Sequence, residues 1–356
     1  MPRLGLAAAT LVASLGLVAS AAGASEGRPA AARPLVPASE CAANKAAGTI
    51  NWASPFGFAG SATILDVYAA EGLGYFADMC LDVNLISSSY DSESLVSSDA
   101  AQITSEGSAA DYLLSAANGS NLRAVATDGD QSNYAILTRS ELKTLQSLAG
   151  QTFGYHQTIP VAVSEMLQKA GVLKKVDFVA DNSYDPTLLT DGDFGAIQAF
   201  QSNEPITLRA AGLQFNEFTP QQLGVTGTMG VTVVNATFLH DYPGAVKDFL
   251  RADLRAFAYC DVHAVACITI ESKDAAAAGA PYELEHEYLR WKKESALSEH
   301  SVLPGRGLGV QTRAEWQSED QALVTYGLLK TAPSLARYEN TSIAASLYHG
   351  TTLVWP

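Results

Sequence analysis

Between residues 49 and 235, the spacing of hydrophobic and polar residues changes repeatedly between a pattern typical of strands and a pattern typical of helices. Short apolar runs bounded by turn residues predict strands, and stretches with apolar residues three or four apart predict helices. The predicted strands are 49–53, 81–86, 103–104, 122–127, 134–138, 152–154, 176–179, 194–200 and 230–235. The predicted helices between them are 61–71, 108–117, 145–150, 161–170, one starting at 186, and 206–211. This alternation of strands and helices indicates parallel α/β sheets.

The chain from Pro243 onward is predicted to be mostly helical. An apolar stripe at helical spacing predicts a core-facing surface, formed by Phe249, Leu250, Leu254 and Phe257. A charged face follows and is interpreted as solvent-exposed; it is formed by Glu283, Glu285, His286, Glu287 and Arg290.

The first 24 residues are typical of a signal peptide. Arg3 is followed by an uncharged apolar run over residues 4–18 and by the small-residue cleavage pattern Ala22-Gly23-Ala24. A retained membrane anchor is the alternative, but the apolar run is near the lower length limit for spanning a bilayer. We therefore expect an exported protein in the periplasm, the cell envelope or the extracellular space. Residues 25–47, rich in Ala and Pro, are predicted to be a linker.

The charge balance excludes some partners. The chain of 356 residues carries a formal net charge of −15. Such a protein is repelled by phosphate backbones, so we expect no nucleic-acid partner and no attraction to anionic lipid.

Four cysteines, an even number, suggest disulfides in an exported protein: Cys41, Cys80, Cys260 and Cys267. Cys41 and Cys80 each precede a predicted parallel strand and could meet at one sheet edge. Cys260 and Cys267 would close a small loop. The alternative is a metal site using both of these cysteines and His263, for which no fourth ligand is evident. We predict disulfides, without choosing the pairing, and no metal and no cofactor.

Four segments in order resemble one protein family. They are YAAEGLGYFADMCLDV at 68–83, LAGQTFG at 148–154, GDFGAIQAFQSNEP at 192–205, and VVNATFL at 233–239 followed by Pro243. Together they resemble the solute-binding proteins of ABC importers that take nitrate, alkanesulfonates, riboflavin or the thiamine pyrimidine precursor. The resemblance covers roughly residues 48–350, and it departs from the family pattern at Cys80, where a glycine is usual.

The resemblance implies a type II periplasmic-binding-protein fold, an α/β fold of two lobes with a hinge and an interlobe cleft. Residues 48–135 plus 236–356 would form the first lobe, and residues 136–235 the second. Ligand would be captured by interlobe closure. It also implies an ABC importer permease as partner, and we expect a monomer.

Candidate ligand-binding residues lie in loops that follow strands, where open α/β sheets bind ligands. The first lobe contributes Trp52, Ser54, Phe56, Ser105, Glu106, Asn133 and Tyr134. The second lobe contributes Tyr155, His156, Gln201, Asn203 and Glu204. These loops are aromatic, amide and carboxylate in character and hold few basic residues, which favours a small, planar, neutral or cationic heteroaromatic ligand.

Three other functions remain open at this point. The first is binding of a small anion such as a sulfonate or nitrate, because backbone N–H groups alone can hold anions. The second is catalysis, since the fungal pyrimidine synthase also resembles these binders. The resemblance implies a first-loop His and a Cys-rich motif for that enzyme, and both are missing here. The third is a secreted scaffold protein. We expect a binding protein and not an enzyme.

Overall fold

A computed structural model describes residues 34–87, 91–183 and 185–356. Its strands are β1 (Thr49–Ser54), β2 (Asp82–Ser87), β3 (Ile103–Glu106), β4 (Leu122–Gly129), β5 (Tyr134–Arg139), β6 (Thr152–Tyr155), β7 (Asp177–Ala180), β8 (Ala196–Phe200), β9 (Phe215–Phe218), β10 (Met229–Asn235), β11 (Tyr348–His349) and β12 (Thr352–Leu353). Its helices are α1 (Ala38–Ala46), α2 (Leu65–Gly72), α3 (Tyr75–Asp78), α4 (Ser92–Ser97), α5 (Ala109–Ala117), α6 (Val161–Lys169), α7 (Leu188–Asp191), α8 (Glu204–Ala210), α9 (Ala236–Asp241), α10 (Pro243–Val262), α11 (Ala264–Ala277), α12 (Leu284–His300), α13 (Arg313–Thr325), α14 (Leu335–Tyr338) and α15 (Ser342–Ala345). The predicted signal peptide, residues 1–24, lies outside the described residues.

Two five-stranded sheets organise the chain. The first has the strand order β2-β1-β3-β10-β4 and the second β7-β6-β8-β5-β9. The prediction of parallel sheets is correct only in part, because β10 runs antiparallel to β3 and β4, and β5 runs antiparallel to β8 and β9. Strands β5 and β10 are each the first strand after the chain passes from one sheet to the other. Each enters its new sheet antiparallel to its neighbours. The remaining pairs within these two sheets are parallel, as the alternation of strands and helices predicted.

The chain crosses between the sheets twice, from β4 to β5 and from β9 to β10. The two crossings lie side by side, since a Cβ added at Gly227 would lie 2.8 Å from the Cβ of Ser132. The side-chain amides of Gln201 and Gln221 both donate to the carbonyl of Ser132, over 2.9 and 2.8 Å. Strand β10 belongs to the first sheet, although the sequence analysis assigned its residues to the second lobe. These paired crossings are the hinge between the lobes.

Helices cover both faces of the first sheet. On one face, Phe76 stacks on Phe249 at 4.8 Å between ring centroids, and Trp291 packs against Phe257 at 4.9 Å. The predicted core stripe of α10 is buried as expected, in the same hydrophobic core as Ile50 of β1. On the other face, Trp316 of α13 packs edge-on against Tyr112 of α5. None of the helices in the described part of the chain is long and apolar enough to cross a bilayer.

Residues 25–47 are not a linker throughout, because residues 38–46 form α1. The Asn44 side chain donates to the carbonyl of Met79 over 2.8 Å and to the carboxylate of Asp248 over 2.7 Å. Cys41, also on α1, is disulfide-bonded to Cys80. The composition resembles a linker, but these long-range bonds fix the helix to the first lobe.

Both disulfides are present, which confirms the prediction for the cysteines. Cys41 pairs with Cys80, and Cys260 pairs with Cys267. The alternative metal site at Cys260, His263 and Cys267 is excluded because its two thiols are joined. Cys80 has a φ of 59°, in the left-handed region that favours glycine. This accounts for the family glycine at that position.

Candidate functional site

A cavity of about 710 Å³ lies between the two sheets. Its walls come from segments that follow β1, β3, β6 and β8, which are the carboxyl ends of strands in both lobes. Helix α12 closes one side through Glu287, Arg290 and Glu294. Ligands in open α/β sheets bind at such strand ends, so the cavity is the candidate site.

Aromatic rings from both lobes face each other across the cavity. Phe56, in the loop after β1, is 42% exposed. It meets Phe200, at the end of β8, edge-on with ring centroids 5.9 Å apart. Phe200 in turn stacks on Tyr134 at 4.9 Å. A large apolar ring left this exposed inside a concave site offers a surface for a flat ligand.

Three carboxylates occupy the first-lobe end of the cavity: Glu93 on α4, Glu106 at the end of β3, and Asp111 in the first turn of α5. Burial raises the pKa of Glu106 well above its ordinary value, and repulsion from Glu93 and Asp111 raises it further. The hydroxyl of Tyr134 donates to Asp111 over 2.8 Å, which links the hinge to this group. We call these three residues the acidic end of the cavity.

The loop that begins α2 is held by carboxylates of the C-terminal helices. The backbone N–H groups of Ala59, Gly60 and Ala62 donate to Glu271, Glu287 and Glu294 respectively, over 2.8, 2.7 and 2.8 Å. Three backbone donors this close together in the chain would otherwise form an anion-binding site. Here the protein's own carboxylates already fill it.

Glu294 also connects the loop to the hinge. Its Oε1 accepts from the Ser202 hydroxyl over 2.5 Å and from the Asn133 amide over 2.9 Å. Ser202 and Asn133 lie beside the hinge, whereas Ala62 and Ser61 belong to the first lobe. Burial raises the pKa of Glu294, while the hydrogen bond from Ser202 and the charge of Arg290 lower it.

Arg290 is the one Lys or Arg among the described residues that line the cavity. Its guanidinium pairs with Glu287 at 3.0 Å and donates to the Oδ1 of Asn203. His286 also reaches that Oδ1, over 2.9 Å. The positive charge is therefore largely neutralised within the protein.

Eight of the twelve predicted residues line the cavity. They are Phe56, Ser105, Glu106, Asn133, Tyr134, His156, Asn203 and Glu204. Within this group, the Nδ1 of His156 lies 2.9 Å from the carbonyl oxygen of Asp181, and Glu204 accepts from the backbone N–H of Phe200 over 2.7 Å. Burial raises the pKa of Glu204.

The other four predicted residues point elsewhere, which corrects their expected role. Trp52 is 1% exposed and packs edge-on against Tyr68 in the core of the first lobe. The Ser54 hydroxyl donates to the carbonyl of Gly57 and holds the turn after β1. Tyr155 packs against Phe178 at the edge of the second sheet. Gln201 is a hinge residue.

Sequence reasoning missed Asp111, Gln198, Glu287, Arg290 and Glu294 as lining residues. The interpretation of the charged face on α12 as solvated is wrong for Glu287, which is 7% exposed, because this part of the helix packs on the loop before α2, where Glu287 accepts from the N–H of Gly60. Glu287, Arg290 and Glu294 follow one another at spacings of three and four, so they share one helix face. That spacing was the available signal.

No group of three or more His, Cys, Asp or Glu side chains is placed to hold a metal ion in the described part of the chain. The cavity offers carboxylates, amides, hydroxyls and aromatic rings. It can therefore bind a small organic molecule by stacking and by hydrogen bonds.

Comparisons with known proteins agree with this geometry. The family model described as NMT1/THI5 like matches residues 61–264, more than half of the chain. A search of curated protein sequences finds no significant match.

Three solved structures illustrate the similarity of the fold. The aliphatic sulphonate-binding protein SsuA from Escherichia coli has a TM-score of 0.59 at 12% identity, covering 81% of this chain and 96% of its own. The nitrate-binding protein NrtA from Synechocystis PCC 6803 has a TM-score of 0.60 at 11% identity, covering 83% and 86%. The desulfurization enzyme DszB has a TM-score of 0.54 at 14% identity, covering 84% and 98%. At these identities the similarity shows the fold alone, and it confirms the expected α/β fold of two lobes around a cleft.

Proposed function

The chain belongs to the NMT1/THI5-like family, and from this premise we propose that it is an extracytoplasmic solute-binding protein of an ABC importer. In this proposal it captures a small, planar heteroaromatic molecule by interlobe closure and delivers it to the importer permease. It acts outside the cytoplasm, as a monomer. The solved relatives that are named as periplasmic sulphonate- and nitrate-binding proteins support the transport part of the proposal.

The observation that supports the ligand class is the combination of aromatic rings and unpaired polar groups in the lining of one cavity. Phe56 and Phe200 provide flat apolar surfaces from opposite lobes. Around them, Ser105 Oγ, Asn133 Oδ1 and Gln198 Oε1 have no hydrogen-bond partner within the described residues, although each residue is at least 94% buried. Buried polar atoms in native proteins are almost always paired, so a ligand with polar ring edges is the natural partner.

A small anion is the second candidate, and the polar contacts argue against it. The N–H groups of Ala59, Gly60 and Ala62 would suit a sulfonate or nitrate, but protein carboxylates already accept their hydrogen bonds. Arg290 is paired with Glu287. An anion would also meet the carboxylates of the acidic end at short range, where repulsion is strong in a partly desolvated site.

A catalytic role is less well supported than binding. All four cysteines are in disulfides, so the described chain offers no thiol nucleophile. The loop after β1 holds no histidine. A scaffold role would not explain the unpaired polar atoms of the cavity.

A thermal-shift screen tests the proposal. The panel contains pyrimidines, flavins, aromatic acids, sulfonates, nitrate and amino acids. A ligand at about 100 times its Kd should add about 2.7 kcal/mol to the unfolding free energy, which is a shift of several degrees. Small-angle scattering with the same compound should show a smaller radius of gyration when the lobes close.

Two variants compare the effect on ligand binding of a residue in the cavity and a residue on the surface. Phe56→Ala should weaken binding at least tenfold, because it removes one aromatic wall. Tyr288→Ala is the matched control: Tyr288 is 37% exposed and lies outside the cavity lining, so binding should be unchanged. Stabilisation by nitrate or a sulfonate alone would refute the ligand class. Conversion of a panel compound into a product would refute the binding-protein role.

A further inference from the structure

The acidic end gathers three carboxyl groups, and the one Lys or Arg among the described residues that line the cavity is Arg290. The cavity is lined there by Glu93, Glu106 and Asp111. Glu93 and Asp111 disfavour the ionised form of Glu106 by charge repulsion. Arg290 lies on α12 and is bound to Glu287 and Asn203. Like charges gathered in a partly desolvated site are costly, and a bound cation relieves that cost.

A second observation at the same place points to a ligand. Ser105, the residue before Glu106, lines the cavity and is 2% exposed. Its hydroxyl oxygen has no hydrogen-bond partner among the described residues, and the same holds for Oε1 of Glu93. These are two oxygen acceptors beside a carboxylate, which suits a donor-rich cation.

The local backbone leaves room for such a group. A Cβ added at Gly107 would lie 3.3 Å from the Tyr134 hydroxyl and 3.6 Å from Oδ2 of Asp111. Glycine at this position therefore keeps the space in front of Asp111 open. The Tyr134 hydroxyl and the Ser108 hydroxyl both hold the Asp111 carboxylate, over 2.8 and 2.7 Å, so that it is fixed in place before any ligand arrives.

We propose that the ligand carries a protonated amine, and that this group binds at the acidic end between Ser105, Glu106 and Glu93 while the planar ring lies against Phe56 and Phe200. An ammonium has three donors and no acceptor, which matches this set of oxygen atoms. Its hydrogen bonds to carboxylates are charge-assisted and strong. This inference rests on the proposed function, because it names the substrate class of the same cavity.

The test uses three pyridines that carry substituents of different charge at the same ring position. They are 3-(aminomethyl)pyridine, a cation at neutral pH; 3-(hydroxymethyl)pyridine, which is neutral; and pyridine-3-sulfonate, an anion. Compounds this small are expected to bind with Kd values of about 1 mM, so binding to the full mature protein is measured by ligand-observed NMR. The cation should bind at least tenfold more tightly than the other two.

Glu106→Gln removes the charge with little change in shape and should weaken binding of the cation about tenfold. It should leave the neutral pyridine within about twofold. Glu285→Gln is the matched control, because Glu285 is exposed on α12 and the net charge changes equally. Thermal unfolding without ligand establishes that each variant is folded.

The outcomes separate the inference from the proposed function. Preference for the cation that is lost in Glu106→Gln and kept in Glu285→Gln supports the inference. Tighter binding of the neutral pyridine, or equal cation binding by Glu106→Gln and wild type, overturns the amine subsite and leaves the heteroaromatic binder intact. Failure of all three pyridines together with the whole thermal-shift panel overturns both.

Discussion

Replacing Glu294 with alanine should destabilise the protein strongly, because this carboxylate joins the first-lobe loop to the hinge. It accepts hydrogen bonds from Ser202 and Asn133 beside the hinge, and from Ala62 and Ser61 in the loop. The two serine hydroxyls can turn toward other acceptors or water. The Ala62 N–H and the Asn133 amide cannot turn in the same way.

The magnitude follows from those two donors. A buried donor that loses its partner costs about 1–3 kcal/mol, so stranding two of them costs about 3 kcal/mol. For a chain of this size, the melting temperature should fall by roughly 4 °C. Glu294→Gln keeps one acceptor oxygen for Ala62 and should cost about 1 kcal/mol.

Guanidinium unfolding monitored by circular dichroism measures the change, with Glu285→Ala as the control. Glu285 is exposed on the same helix, so its loss should stay within about 0.5 kcal/mol. If Glu294→Ala is as stable as Glu285→Ala, the bridging role is refuted. If the Gln and Ala variants lose equal stability, the negative charge matters and the count of donors does not.

Three further predictions concern folding. Trp52→Ala should cost about 3–5 kcal/mol in chemical denaturation because its ring is in the core, and an unchanged midpoint would contradict that burial. Replacing both Cys41 and Cys80 with alanine opens a bridge with a sequence separation of 39, and should cost about 4 kcal/mol by the chain-entropy relation; a loss below about 1 kcal/mol would count against it. Burial raises the pKa of Glu319 to about 7 from the ordinary 4.5, so the protonated form favours folding. Its contribution is present below pH 4.5 and lost as the pH rises through 7. Glu319→Gln should therefore match wild type at pH 4 and exceed it by up to about 3 kcal/mol at pH 8; a less stable variant at pH 8 would show the sign to be wrong.

Much of the fold was predictable because its signals are local. The alternation of apolar residues predicted strands β1 to β8 and β10 to within a few residues, since burial of one or both sheet faces imposes that pattern on the sequence. Strand β9 and helix α4 are among the elements that were missed; they are only four and six residues long, which is too short for a clear period. The disulfide between Cys260 and Cys267 spans seven residues and needs no distant information.

The candidate site was predictable only in part. The loops after the strands were the right place, but Trp52 and Phe56 lie four residues apart, and their patterns alone did not say which ring faces the cavity. Tertiary packing decides this: Trp52 is covered by α2, and Phe56 lies opposite Phe200 of the other lobe.

The alternation of strands and helices, the acidic charge and the family motifs could be read from the chain alone, because each depends on neighbouring residues or on composition. Only the tertiary structure decided what the charged face of α12 meets. Sequence spacing places Glu287, Arg290 and Glu294 on one helix face. Charged residues are compatible there both with exposure to solvent and with hydrogen bonds to a buried loop. The folded chain places α12 between the loop before α2 and the hinge, where the carboxylate of Glu294 accepts hydrogen bonds from Ala62 and Ser202 and becomes part of the cleft.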